Sequence, residues 1–310
     1  MASAVIVIDV QNCFLPGGSL ATGNSRNATI PAKGLAVNIA KFVNTTAPEH
    51  LFISKDWHTP GHTSFVSGAN TAAGKMSYPD AAGKGEFAKG IAQGRYTGKT
   101  FMGKRFWGVN AEREDQKLWP EHCVQGTPGA DVDAALMSTL SADNKAKAVT
   151  ILKGDSPDID SYSVVADALG SPTPHDESGN SFLSILQKSN ITKVYLTGIA
   201  RDVCVYWSAL DLLNYWILPA YKMGKKIKLV FKYDLTRPVS PVPGAPYTDK
   251  TPEQITEAVA DLIKNMEMAP ATIDEVFSIE MGGYNAIGGS KYSKKNKKNA
   301  KRSKKRTMRR

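Results

Sequence analysis

The sequence lacks any apolar run long enough to cross a bilayer, which excludes a membrane-spanning helix at the outset. Cysteine is scarce: Cys13, Cys123 and Cys204 are the only three, an odd number at wide spacing. They do not read as a disulfide framework and fit a reducing, intracellular, cytoplasmic setting. A basic n-region and apolar h-region are missing, because the first strand begins almost at once, Ala4 to Ile8; no secretory signal is expected. The last twenty residues have no acid and almost no apolar side chain.

That last absence explains the formal net charge of +10. Lys291 to Arg310 hold twelve Lys or Arg, so residues 1–290 carry −2 once those charges are set aside. The body is slightly acidic and the basic character sits in one tail. Such a tail cannot bury a core and is expected to be disordered, behind a linker rich in glycine at Gly282-Gly283 and Gly288-Gly289. It would give non-specific, salt-sensitive binding to nucleic acid or other polyanions. A Gly-Gly-Tyr stretch followed by a Lys/Arg-rich C-terminus also resembles those on proteins of large double-stranded DNA viruses.

With 42% apolar residues, the rest of the chain can build a sizeable core. Strands are predicted near 4–10, 50–54, 148–152, 193–198 and 227–232, with a weaker one at 273–279. Helices are predicted near 32–44, 131–140, 179–189, 203–215 and 252–266. Alternating strands and helices imply a three-layer α/β/α sandwich around a mainly parallel, doubly wound sheet. Residues 66–117 break the rhythm and read as an insertion in a domain spanning 1–280, with 281–310 as linker and tail.

Three apolar strands finish in reactive side chains. Val5-Ile6-Val7-Ile8 ends at Asp9, Val149 to Leu152 ends at Lys153, and Val194 to Gly198 leads through Ala200 to Cys204. In a parallel sheet all three reach the carboxyl edge, where open α/β folds build their sites. A thiol at a strand-to-helix turn meets backbone N–H groups and the positive end of a helix dipole, which favour thiolate. Each residue also has a plainer reading: a buried structural cysteine, a capping aspartate, a solvated lysine. Asp56 and His58, two apart at a strand end, point the same way and converge as a metal pair would.

Together these segments resemble the nicotinamidase/pyrazinamidase branch of the isochorismatase-like cysteine hydrolases, over roughly residues 4 to 280. The matching stretches are Asp9-Val10-Gln11-Asn12-Cys13-Phe14, Lys55-Asp56-Trp57-His58 with His62, Leu118-Trp119-Pro120-Glu121-His122 through Gly129, and Asp160-Ser161-Tyr162-Ser163. One departure is Cys13, where the motif usually has Asp. The resemblance implies a catalytic triad of Asp9, Lys153 and Cys204. It places an oxyanion hole on the Ala200 and Cys204 N–H groups, after a cis bond at Ala200. It implies metal ligands Asp56, His58 and His122, with His62 either a further ligand or not. The metal would be Zn²⁺, with Mn²⁺ or Fe²⁺ as alternatives. Phe14 and Trp119 would flank a flat ring or simply pack the core. The implied substrate is nicotinamide. Other amide or ureide hydrolases of the superfamily, and a polyanion-binding or particle-associated protein carrying a hydrolase body, are the competing readings; self-association is left open. A chain ending at residue 290 is expected to keep any amide hydrolase activity and to lose salt-sensitive polyanion binding, checked by ammonia release and by a salt titration of binding.

Overall fold

Val5 to Ile8 form an uninterrupted apolar run, and a strand apolar on both faces belongs in the middle of a covered parallel sheet. In the computed structural model that run lies in β1 (Ala2–Ile8), where Ala4 to Ile8 are at most 1% exposed. The structure describes residues 2–22, 34–62, 64–65, 119–157, 159–168, 170–239, 249–265 and 272–282. The 66–117 insertion and the basic tail lie outside them.

The other strands are β2 (His50–Asp56), β3 (Ala148–Lys153), β4 (His175–Asp176), β5 (Ile191–Ile199), β6 (Lys228–Arg237) and β7 (Phe277–Glu280). Their order is β4-β3-β2-β1-β5-β6-β7, parallel throughout except for β4 against β3. The chain runs from β1 outward to one edge, then returns to the other side of β1 with β5. The crevice between β1 and β5 is therefore the topological switch point.

Helices cover both faces. Ile6 is level with Phe52 and Leu196, so Phe52 shares a face with Leu196 and Tyr195 points the other way. Phe42 of α1 (Leu35–Thr46) packs edge-on against Tyr195 at 5.3 Å. Across the sheet, Phe182 of α4 (Phe182–Lys188) meets Phe52 at 4.9 Å. Beside α1 lies α2 (Ala134–Thr139), followed by α3 (Ala142–Lys147). After β5 comes α5 (Cys204–Asp211), which runs through a π-helical turn (Leu212–Ile217) into α6 (Leu218–Lys222). Pro219 has no N–H to donate, and the π turn reorganises the hydrogen bonding just before it. Then come α7 (Pro252–Asn265) and α8 (Ile273–Val276). No helix among the described residues is long and apolar enough to cross a membrane.

Element positions agree with expectation except where a local device intervenes. The first strand stops at Ile8 rather than continuing to residue 10, because Asp9 turns the chain with φ +49°. The helix expected at 131–140 is the shorter Ala134–Thr139, and a second helix, Ala142–Lys147, follows it. Asp133 caps the first through the Ala135 and Leu136 N–H groups, and Ser141 caps the second. The stretch 273–279 begins as the short helix α8 before entering β7. Thr251 and Gln254 form a reciprocal capping box on α7, with Pro252 at its first turn as expected. Two-residue β4 is too short to leave a periodic signature.

Candidate functional site

β1, β2, β3 and β5 end side by side, and their last residues meet. In the β2–β3 register Asp56 is level with Lys153, and in the β1–β5 register Ile8 is level with Gly198. Gly198 is required there: at φ +116°, a Cβ would lie 2.1 Å from the Ile8 carbonyl oxygen. This close approach sets Asp9 against the turn that leads from β5 to Cys204.

Lys153 is the hub. Its Nζ lies 2.9 Å from Asp9 Oδ2, 2.9 Å from Asp56 Oδ1 and 3.7 Å from Cys204 Sγ, and it donates to the Ser161 carbonyl at 3.1 Å. The side chain is fully buried. Burial alone would lower its pKa, but Asp56 and Asp9 outweigh it and hold the ammonium well above the usual lysine range. Asp9 is pushed up by burial, against the pull of Lys153. Its Oδ1 accepts the Ser54 hydroxyl at 2.6 Å, and Ser54 Oγ accepts the Asp9 N–H at 3.1 Å.

Cys204 opens α5, but the expectation of a lowered thiol pKa is corrected. Burial pushes its pKa well above the ordinary thiol range; Lys153 opposes this, while Asp9 and Asp56 add to it. One ammonium beside two carboxylates in a dry pocket favours the neutral thiol. A proton acceptor is therefore needed, and Asp9, held by the same Lys153 ammonium that lies against the thiol, is the carboxylate at hand. The Ile199–Ala200 peptide is cis.

A second cluster adjoins the first through Asp56. His58 Nε2 is 3.1 Å and His122 Nε2 3.4 Å from Asp56 Oδ2. Each ring has its Nδ1 against a backbone carbonyl, Gly154 for His58 and Pro120 for His122, both at 2.8 Å. A carbonyl only accepts, so each Nδ1 donates and each Nε2 is turned toward the shared point. Gly154, at φ +67°, makes room for this: its Cβ would stand 2.7 Å from the His58 ring. Gln11 holds Asp56 by its backbone, donating to the carbonyl and accepting the N–H, both at 2.8 Å. For Asp56, burial raises the pKa, yet His58 and Lys153 outweigh it and keep the carboxyl well below its usual range.

Asp56, His58 and His122 thus form one buried group with the spacing of a metal site. His62 falls in an adjoining group with His58 and Asp160. Its Nδ1 accepts the Ser64 N–H at 3.2 Å, and its Nε2 faces the Ile159 carbonyl at 3.4 Å. Burial, then the His58 charge, push it down to about 4.

The pocket above these groups encloses about 400 Å³ including its open mouth. Phe14 and Trp119 line it, along with Ala200 and Cys204. Sequence reasoning missed several contributors. Phe65 sets its ring edge-on against His58 and His122, each 5.3 Å away. Tyr162 accepts the Trp119 indole N–H at 2.9 Å, and Val239 closes a wall. The Asp160–Ser163 stretch was in view as a motif, but neither Phe65 nor Val239 carries a pattern of its own.

The cysteine expectation is also corrected. Cys13 and Cys123 are joined as a disulfide across 110 residues of sequence, with Cα atoms 5.6 Å apart. Sequence spacing hides this because the pairing depends on packing. The 3₁₀ turn Asn12–Phe14 lies against the 3₁₀ turn Pro128–Ala130, where the Asn12 N–H donates to Asp131. The bond ties the residue before Phe14 to the residue after His122.

A doubly wound α/β sheet with a thiol, a carboxylate and an ammonium at its switch point, beside a carboxylate–imidazole cluster, is the arrangement expected of the cysteine hydrolases this sequence resembles. No protein-family model matches the chain. The nicotinamidase of Acinetobacter baylyi is 31% identical over 227 residues, 71% of this chain and 80% of that protein. The Schizosaccharomyces pombe nicotinamidase is 27% identical over 214 residues, 69% and 77% of the two chains. Among solved structures, an Acinetobacter baumanii nicotinamidase/pyrazinamidase aligns with TM-score 0.51 at 25% identity, covering 85% of this chain and 92% of that one. Yeast nicotinamidase bound to nicotinaldehyde aligns at 0.56 and 20% identity, over 90% and 100%, which shows the shared fold. The chain belongs to the nicotinamidase family.

Alkylation in denaturant without reductant is expected to label one cysteine per chain, and all three after reduction. Intact mass checks it, and three labels before reduction would contradict the disulfide.

Proposed function

We propose that the protein hydrolyses nicotinamide to nicotinate and ammonia through a thioester on Cys204. The observation that carries this reading is the buried contact of Lys153 with both Asp9 and Cys204, beneath a pocket that Cys204 lines together with Asp56, His58 and His122. The family relationship supplies the substrate class.

Asp9 accepts the thiol proton as Sγ bonds to the carboxamide carbon, which is general-base catalysis by the nearest carboxylate. The carbonyl π electrons move to oxygen. The backbone N–H groups of Ala200 and Cys204 receive the resulting oxyanion; the Cys204 N–H is free for this because it opens a helix. Asp9 then gives its proton to the departing nitrogen, ammonia leaves, and the thioester remains. Water adds to that carbonyl as Asp9 takes its proton, and collapse releases the acid and returns a proton to sulfur. Lys153 holds Asp9 ionised at the start of each half and offsets the charge that appears on sulfur.

One carboxylate and two imidazole lone pairs fit a divalent transition metal, with Zn²⁺ the best match and Mn²⁺ or Fe²⁺ compatible. Asp56, His58 and His122 would hold it, and it would supply Lewis acidity and an anchor for the pyridine nitrogen. His62 is assigned a lesser part, because with its Nδ1 accepting the Ser64 N–H its Nε2 carries the proton and faces the Ile159 carbonyl. Phe14 and Trp119 are assigned as walls for the ring.

Cys204→Ala is expected to abolish ammonia release while substrate still binds, and Asp9→Asn to be nearly as severe. Near-wild-type turnover by Cys204→Ala would overturn the reading, and a thioester adduct seen by intact mass after a substrate quench would support it. His122→Ala is expected to lose bound metal and raise KM, whereas His62→Ala does less. Elemental analysis of the purified proteins reads the first effect without any activity assay.

A further inference from the structure

Asp202 stands two residues before Cys204, in the turn that carries both oxyanion donors, and the mechanism above gives it no task. It is 1% exposed. Its Oδ1 accepts the Val239 N–H at 2.8 Å. Oδ2 is buried with no hydrogen-bond partner among the described residues. A buried carboxylate left half satisfied costs the fold stability, so its presence beside a pocket calls for a role.

The surroundings supply one. Val239, Ala200, Val203 and Cys204 all line the pocket. Val239 follows the end of β6, whereas the other three belong to the turn after β5. The Asp202 carboxylate is thus a strut between the nucleophile turn and the facing wall. A second tie runs parallel to it, from the Arg201 N–H to the Arg237 carbonyl at 2.7 Å.

We propose that Asp202 is a positioning residue for the hydrolysis proposed above, whose ionised carboxylate holds the Ala200–Cys204 turn against Val239 so that the oxyanion donors converge. It rests on that functional reading, but its geometry does not. Charge-assisted hydrogen bonds from N–H groups are stronger than neutral ones, so the ionised form holds the turn better.

The charged neighbours do not neutralise Asp202. Arg201 is committed elsewhere: its guanidinium is bidentate to Asp249 at 2.8 and 2.7 Å and lies 3.9 Å from the centre of the Tyr233 ring. Arg237 donates to the Asp234 and Thr236 carbonyls. Burial therefore pushes the Asp202 carboxyl up to about 7, the N–H of Val239 opposing it, with Asp249 raising and Arg201 lowering it slightly. A carboxyl whose folded pKa exceeds its unfolded value stabilises the fold when protonated; that stability is lost as pH rises from about 4 to about 7.

The test compares wild type with Asp202→Asn on nicotinamide from about pH 5.5 to about 8.5. The variant is expected to lower kcat about tenfold with KM changed less than about threefold, and to lose the acid limb of kcat near neutrality. Its Tm at the alkaline end is expected to equal or exceed that of wild type, because a buried charge is gone. A kcat–pH profile unchanged in shape would overturn the proposal, as would a kcat loss that tracks a fall in Tm. In parallel, the iodoacetamide alkylation rate of Cys204 is followed against pH. Wild type releasing no ammonia from nicotinamide would sink the functional reading alone. The alkylation profiles then decide the role of Asp202: a step near neutrality lost in Asp202→Asn supports it, and coincident curves overturn it.

Discussion

One ammonium held between two carboxylates organises this protein's site. Lys153 touches Asp9 on one side and Asp56 on the other, and Cys204 lies within its reach. Without it, Asp9 and the thiol would share a dry pocket with no adjacent cation, and burial would drive both toward their neutral forms. Lys153 keeps the charge at an intermediate value, so that Asp9 can still take a proton and Asp56 stays anionic. The arrangement also joins two clusters: Asp9, on the side of the thiol, and Asp56, on the side of the imidazoles, are held by the same Nζ, so a charge placed on one is felt by the other.

The sheet exists in the form needed to make that contact. β1 must be central and buried for Asp9 to arrive without water, and β2 and β3 must be parallel and in register for Asp56 to lie beside Lys153. The glycines do the fine placement. Gly198 lets β5 close on β1, and Gly154 lets the His58 ring lie flat against the chain. Asp9 itself adopts a left-handed backbone conformation that costs about 1 kcal/mol or more for a non-glycine residue. Strain of this kind persists where the surrounding contacts over-determine it, here through Ser54 and Lys153.

Much of this was legible in the chain. Apolar runs ending in Asp9 and Lys153 read as strands because fully buried parallel strands have no polar alternation to obscure them. Asp56 and His58 were legible as a pair because two-residue spacing has a fixed meaning in extended chain. What sequence could not carry was the environment. The thiol's protonation depends on how dry the pocket is, which no spacing encodes, so the helix-start argument pointed the wrong way for Cys204. The Cys13–Cys123 bond depends on two 3₁₀ turns meeting across the fold, and Val239 reaches the pocket only because β6 is long.

The segments flanking residues 66–118 meet as a pair of clasped ends. Phe65 and Trp119 form a parallel bridge, and the Trp119 N–H donates to the Ser64 carbonyl at 2.8 Å. Contacts between residues this far apart in sequence cost chain entropy, and that cost rises only with the logarithm of the separation. Phe65, which presses on the histidines, and Trp119, which lines the pocket, are therefore held by a direct contact with one another. The fold can vary the number of residues at this position while the wall of the pocket keeps its shape.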